Sequence, residues 1–327
     1  MSKRHLLKTL MLSALVAAAP ISALAQTAAQ FPSKPIRIIA PYPPGGATDL
    51  LARALADGLQ ATWNSPVVVE NKPGASGMIG AELASQAPGD GYTLVIGAVS
   101  LHAILPALNP KMGEVQKLLT PISMLGVNPS YVVVPATLPI NNVRELISYL
   151  KTSPGKHGYG AAGIGTSQHI FVELFKQHAG VDIFPVQYKG SGPMITDLIG
   201  GQTTLVIEQG PAVMGHIRNG KLRALAVTTP KRSIAMPDVP TLAEAALPGF
   251  DASTWFAVYG SPGIPADIQR KLSDGVNRAL AIPEIRERLT SAGVEPGGST
   301  PEQLHSREKK DAEMWAEVIR RNNIKLN

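Results

Sequence analysis

The chain contains no cysteine, which excludes disulfides and thiolate metal sites and leaves the fold to rest on apolar packing alone. Aromatic residues are only 5% of its 327 residues, and no basic run is interleaved with aromatics that could stack bases while neutralising phosphates. Nucleic acid is therefore not an expected partner. The seven histidines show no HExxH or related ligand spacing, so no metal is expected. No cofactor is expected either. Gly158, Gly160 and Gly163 satisfy GxGxxG only formally, because the first two fall inside an expected strand. Gly215 to Lys221 spells GxxxxGK, but Leu222 stands where a magnesium-binding hydroxyl is needed. GxSxG is missing as well, since Gly74, Ala75, Ser76 and Gly77 lack its final spacing.

Long apolar runs are also missing. Leu10 to Ala19 is shorter than the ~20 residues of a spanning helix and is broken at Pro20. Lys3, Arg4 and Lys8 before it, with Ala23 and Ala25 after it, give the layout of a secretory signal over residues 1–25 that leaves Gln26 first after cleavage. No cysteine follows to carry a lipid. The expectation is export to the periplasm with no membrane anchor after cleavage. The formal charge is +6, of which Lys3, Arg4 and Lys8 account for three; the remaining mild excess helps to draw anions inward. The length left after the signal predicts two domains of the usual ~100–200 residues.

What is present is one local design written twice: a strand, a glycine-rich turn, and a helix opening on Thr or Ser. The first copy is Ile36 to Ala40, then Pro43, Pro44, Gly45, Gly46, Ala47, Thr48 and Asp49, then the periodic run Leu50 to Leu59. The second is Gly158 to Ala162, then Gly163, Ile164, Gly165, Thr166 and Ser167, then His169 to His178. Each turn places backbone N–H groups at a helix N-terminus, where aligned peptide dipoles favour an anion. Downstream the echo continues. Asn71 to Ile79 leads through a helix to the strand Thr93 to Gly97, and Tyr188 to Ile195 leads through a helix to Thr204 to Glu208. Both halves read as two successive strand-loop-helix units of parallel-sheet type.

The coarse pattern predicts strands at 36–40, 67–71, 93–97, 122–127, 131–134, 157–161, 183–188, 204–208, 224–229 and 254–260. Helices are predicted at 48–62, 77–87, 142–151, 166–179, 193–200, 211–219, 241–246, 266–280, 283–292 and 301–322. This is an α/β chain with mostly parallel sheets. Thr241 with Glu244 reads as a capping box, and Pro265, Pro283 and Pro301 suit first helical turns. Residues 98–121 are the least regular stretch. The strand at 254–260 and three terminal helices return to complete the first lobe. Lobe 1 is thus expected at 26–126 plus 253–327 and lobe 2 at 127–252, with two crossovers near 125–130 and 249–254 that suit hinge closure.

The strings APYPPGGATDLLAR, VVENKPGASGMIGAELASQAPGDGYTLVIG, GAAGIGTSQHIFVELFKQHAGVDIFPVQYKGSGPMITDLIGGQ, GKLRALAVTTPKRS, DVPTLAEAALPGFDASTWF and GSTPEQ, in this order, resemble the Bug/TctC family. Its members are the extracytoplasmic solute-binding proteins of tripartite tricarboxylate transport. The resemblance runs over roughly 31 to 327. It implies a type II periplasmic-binding-protein fold, two doubly wound α/β lobes around a ligand cleft. It further implies a non-enzyme that binds a small organic carboxylate (a di- or tricarboxylate, an aromatic acid or an acidic amino acid) and delivers it as a monomer to membrane transporter subunits. Two alternatives stand beside it: a ligand-sensing partner of a signalling receptor, and a periplasmic hydrolase.

Carried onto this chain, the family's first carboxylate grip falls on Tyr42 and on Gly45, Gly46, Ala47, Thr48 and Asp49. The glycines allow close backbone approach and Thr48 adds a hydroxyl. Asp49 would repel a carboxylate and is read as a helix N-cap or as an acceptor for a ligand hydroxyl, amine or water. The second grip is Gly163, Gly165, Thr166 and Ser167, where capping and ligand donation are compatible. Gln168 is a weaker candidate, and His169 reads as structural. Gly190 opens a third loop whose Lys189 reads as solvated. Two residues depart from the family pattern. Met78 stands where a small polar residue is common, and either makes the cleft more apolar or simply packs. Glu208 stands where Asp is common, and changes ligand length or polarity.

Overall fold

The structure is a computed structural model that describes residues 31–325 apart from 43, 45, 46, 75, 76 and 292, and without side chains at 110–112. The expected signal and Gly45 and Gly46 lie outside the described residues.

Apolar residues alternate or run together where strands form, and the sheets they build differ in kind. Three parallel strands come first: β1 (Ile36–Ala40), β2 (Val67–Asn71) and β3 (Thr93–Ala98), with β1 in the middle. Helix α1 (Ala47–Trp63) crosses from β1 to β2, and α2 (Met78–Ser85) from β2 to β3. All six residues of β3 are buried, as a strand covered on both faces requires. After β3 the chain forms a π-helical turn (Ser100–Ile104), α3 (Leu105–Leu108) and α4 (Pro110–Gln116). This stretch, expected to be irregular, is helical because Leu101, Ile104, Leu105 and Leu108 recur at helical spacing. Strand β4 (Thr120–Asn128) then joins the same sheet.

At Pro129 the chain leaves this sheet. Strand β5 (Ser130–Pro135) begins a second group with α5 (Val143–Lys151), β6 (Gly158–Ala161), α6 (Ser167–Ala179), β7 (Phe184–Gln187), α7 (Ser191–Ile199), β8 (Val206–Gln209), α8 (Gly210–Arg218), β9 (Leu222–Val227) and α9 (Leu242–Ala245). Strands β6 and β7 are parallel, whereas β5 is antiparallel to both β8 and β9. A parallel bridge between Tyr159 and Leu205 joins the two sets. Thr241 and Glu244 form the expected capping box through bonds of 3.0 Å in both directions.

The chain returns through Asp251 to Ser253. Strand β10 (Thr254–Gly260) inserts antiparallel between β3 and β4, followed by α10 (Ala266–Ala281), α11 (Pro283–Ser291), β11 (Glu295–Pro296) and α12 (Pro301–Arg321). The first sheet therefore runs β11-β4-β10-β3-β1-β2. This corrects the expectation of mostly parallel sheets: β10 and β5 are each antiparallel to both of their neighbours. Pro283 and Pro301 open their helices, while Pro265 sits one position earlier, as the cap of α10.

Helix α12 holds the return segment. Its Arg307 and Lys310 each reach a carboxylate oxygen of Asp251 at 3.2 Å. Its Asp311 accepts from the Trp255 indole at 2.7 Å and from Arg307 at 2.9 Å. Burial raises the Asp311 pKa above its ordinary value, with Arg307 and Trp255 opposing the shift. On the next turn the Trp315 ring stacks on Phe171 of α6 at 5.2 Å.

Candidate functional site

In parallel units, ligands collect at the carboxyl ends of the strands, where loops meet helix N-termini. At that end of β1, β2 and β3 three loops are tied together. Lys72 N–H donates to the Ala40 carbonyl at 2.9 Å. The Asn71 amide donates to the Tyr42 carbonyl at 3.2 Å and to Asp49 Oδ1 at 2.9 Å. The Tyr42 phenol bonds to Ser100, and burial pushes its pKa up with that bond opposing. A Cβ at Gly77 would lie 3.2 Å from the Tyr42 oxygen, so the loop before α2 seats against this ring.

Asp49 is the main surprise in this turn. It is not the N-cap: α1 begins at Ala47, so Asp49 lies inside the first helical turn. It is 3% exposed. Besides Asn71, it meets Arg53 one turn on, at 3.1 Å to Oδ2 and 3.0 Å to Oδ1. Its charge is thus compensated by a guanidinium, which removes the repulsion it would offer an incoming anion. Thr48 is buried and Ala47 half-buried. Met78 opens α2 in the apolar core, 7% exposed, with its sulfur 3.1 Å from the Gln116 amide nitrogen. This burial accords with the packing reading.

The second turn lies at the carboxyl ends of β6 and β7. Gly163 (φ 120°) and Gly165 (φ 78°) occupy backbone conformations that L side chains rarely adopt. Thr166 caps α6: its hydroxyl donates to the Gly163 carbonyl at 2.8 Å and accepts from His169 N–H at 3.4 Å. The Gly165 N–H is already engaged, donating to His169 Nδ1 at 3.2 Å. His169 is buried, and burial holds its pKa below the ordinary value, which keeps Nδ1 available as an acceptor. The histidine is therefore structural. Ser167 is half-buried and donates to Gln168 Oε1 at 3.2 Å.

Glu208 gathers this side. It is 1% exposed at the end of β8. Its carboxylate accepts from Ser191 Oγ at 2.6 Å, from Gln168 Nε2 at 3.1 and 3.3 Å, and from Gln209 N–H at 2.7 Å. Burial raises its pKa and these bonds oppose the shift. The starts of α6 and α7 are thereby braced to one carboxylate. Gly190 (φ 118°) caps α7, and a Cβ there would meet nothing within 4 Å. Lys189 is exposed.

The structure thus assembles two groups. Tyr42, Ala47, Thr48 and Asp49 stand with Asn71 and Ser100 on the first sheet, with Met78 behind them. Gly163, Gly165, Thr166, Ser167, Gly190 and Glu208 stand with Gln168 and Ser191 on the second. Sequence reasoning missed Asn71, Arg53 and Ser191. The i, i+4 spacing of Asp49 and Arg53 on one helix was the available signal. Among the described residues no cluster suited to a metal occurs, and no helix is long and apolar enough to cross a membrane.

Comparison with known proteins covers most of the chain. The family model for the tripartite tricarboxylate transporter family receptor, TctC, matches residues 51–324. Protein BugT of Bordetella pertussis is 39% identical over 314 residues, covering 94% of each chain. Among solved structures, R. palustris Rpa4515 with adipate superposes with a TM-score of 0.73 at 34% identity, covering 90% of this chain and 99% of that one. MatC from Rhodopseudomonas palustris with bound malate gives 0.67 at 29% identity, covering 88% and 100%.

Proposed function

Because the chain belongs to the TctC family of tripartite tricarboxylate transporter receptors, we propose that it is a periplasmic solute-binding protein that captures one small organic carboxylate and hands it to a membrane transporter. Its fold is the type II periplasmic-binding-protein fold of that family. In this reading the first sheet with its helices is one lobe (26–126 plus 253–327) and the second group is the other (127–252). The chain changes sheet at Pro129 and again at Asp251 to Ser253.

The observation that carries the reading is the compensated Asp49. A carboxylate buried at a helix N-terminus would cancel that end's attraction for an anion. Here Arg53 and Asn71 take up both of its oxygens, so the turn from Tyr42 to Thr48 is left to receive a ligand carboxylate. The loops Gly163 to Gln168 and Gly190 to Ser191 grip the far end of the ligand from the other lobe. Glu208 acts there by holding those loops, and Met78 by packing behind the first grip. Adipate in the one relative and malate in the other support dicarboxylates as the first candidates to try. Closure of the lobes buries the ligand and creates the surface that the transporter recognises. No reaction is needed, and the chain acts as a binder and not as an enzyme. Titrating ligand-stripped protein with a panel of di- and tricarboxylates, aromatic acids and acidic amino acids tests this reading.

A further inference from the structure

A polar groove of about 410 Å³ lies between α6, β7 and the residues that follow α12. Its walls include Ile164, His169, Glu173, Lys176, Gln187 and Lys325. His169, Glu173 and Lys176 are spaced by four and three residues, so α6 turns one polar stripe toward it. Thr166, Ser167, Gly190 and Glu208 of the second grip do not line it, whereas Ile164, from the same turn, does.

The one carboxylate of this wall is already compensated. Glu173 is buried, and its Oε1 accepts from the Tyr159 hydroxyl at 2.5 Å and from Lys176 Nζ at 2.9 Å. The Lys176 ammonium has three N–H groups, and 19% of its side chain stays exposed. Lys325 is exposed as well, so two lysines face the groove against one carboxylate among the described residues. His169 supplies a further donor. Its Nδ1 accepts from Gly165 N–H, and burial, opposed by Glu173 and aided by Lys176, holds its pKa below the ordinary value. In the neutral ring Nε2 therefore carries the proton and donates. Among the described residues Nε2 is neither paired nor sealed from solvent.

We propose that this groove is a second anion site, in which a small oxyanion sits on His169 Nε2–H and the Lys176 ammonium and tightens the second turn through the bond between His169 and Gly165. An acceptor on Nε2–H polarises the ring and makes Nδ1 the stronger acceptor, so Gly165 N–H is held more firmly. Only the consequence for carboxylate affinity rests on the function proposed above. The test follows the full chain by NMR at about pH 8, where the ring is neutral, with inorganic phosphate as probe and sodium chloride of matched ionic strength as control. No carboxylate is added, so the result is read independently of the titration that tests the grips. Phosphate shifts the His169 imidazole and Gly165 amide signals saturably and together, and slows exchange of the Gly165 amide; chloride does neither. Lys176→Gln weakens phosphate about tenfold or more, the worth of a hydrogen bond to a charged group. Shifts no larger than those in chloride overturn the proposal. So does a His169 shift with no change at Gly165, or unaltered phosphate affinity in a folded Lys176→Gln protein. Should Lys176→Gln fail to fold, Lys325→Glu at its exposed position decides: phosphate about threefold weaker or more supports the site, and unaltered affinity overturns it.

Discussion

Ser191 and Glu208, seventeen positions apart, are joined by a 2.6 Å hydrogen bond in which Ser191 is half-buried and Glu208 buried. That bond fixes the start of α7 to the end of β8, while Gln168 fixes the start of α6 to the same carboxylate. Ser191→Ala leaves the carboxylate short of one donor and lets the Gly190 loop move. The expected result is a loss of about 1–3 kcal/mol in stability and carboxylate binding about tenfold weaker, read by denaturant unfolding and calorimetry.

Glu208 also makes stability depend on pH. Burial lifts its folded-state pKa above the ordinary 4.5, so folding favours the protonated form. That contribution is complete below pH 4.5 and is lost as pH rises through the folded-state value. Melting temperatures of Glu208→Gln and the parent, compared from about pH 4 upward, should diverge in favour of the variant as pH rises. A constant difference would show that Glu208 does not titrate differently in the folded chain.

His169 works in the opposite sense. Its folded-state pKa lies below 6.5, so its contribution is present above pH 6.5 and is lost as pH falls through the folded-state value. Protonation turns Nδ1 into a donor facing the Gly165 N–H. The parent should therefore lose stability and carboxylate affinity together on acidification. His169→Asn, which keeps an acceptor without a titrating group, should remove that dependence.

Arg307 and Lys310 both pair with Asp251 yet differ in burial: 21% against 62% side-chain exposure. Arg307→Met strands Asp311 and half of Asp251, and should cost about 3–5 kcal/mol. Lys310→Met should cost about 1 kcal/mol or less. Urea unfolding of both variants checks the order.

The second glycine turn was legible because glycine, threonine and serine cluster where a strand gives way to a helix, and the capping box at Thr241 because its two partners are three residues apart. The insertion of β10 between β3 and β4 was not legible, since hydrophobicity marks Thr254 to Gly260 as a buried strand without saying beside which neighbours. Asp49 was read as a cap, but the helix begins two residues before it at Ala47, and its bond to Asn71 depends on the parallel pairing of β1 with β2. The link of Ser191 to Glu208 is likewise set by tertiary structure.

The central claim is tested most directly by isothermal titration of ligand-stripped protein with the carboxylate panel, adipate and malate first. Saturable one-site binding of at least one carboxylate is expected. It should weaken at least about tenfold in Gly190→Val, whose side chain enters the open space at the second grip and strains a φ of 118°. Heat indistinguishable from dilution for every acid in the panel would contradict the account.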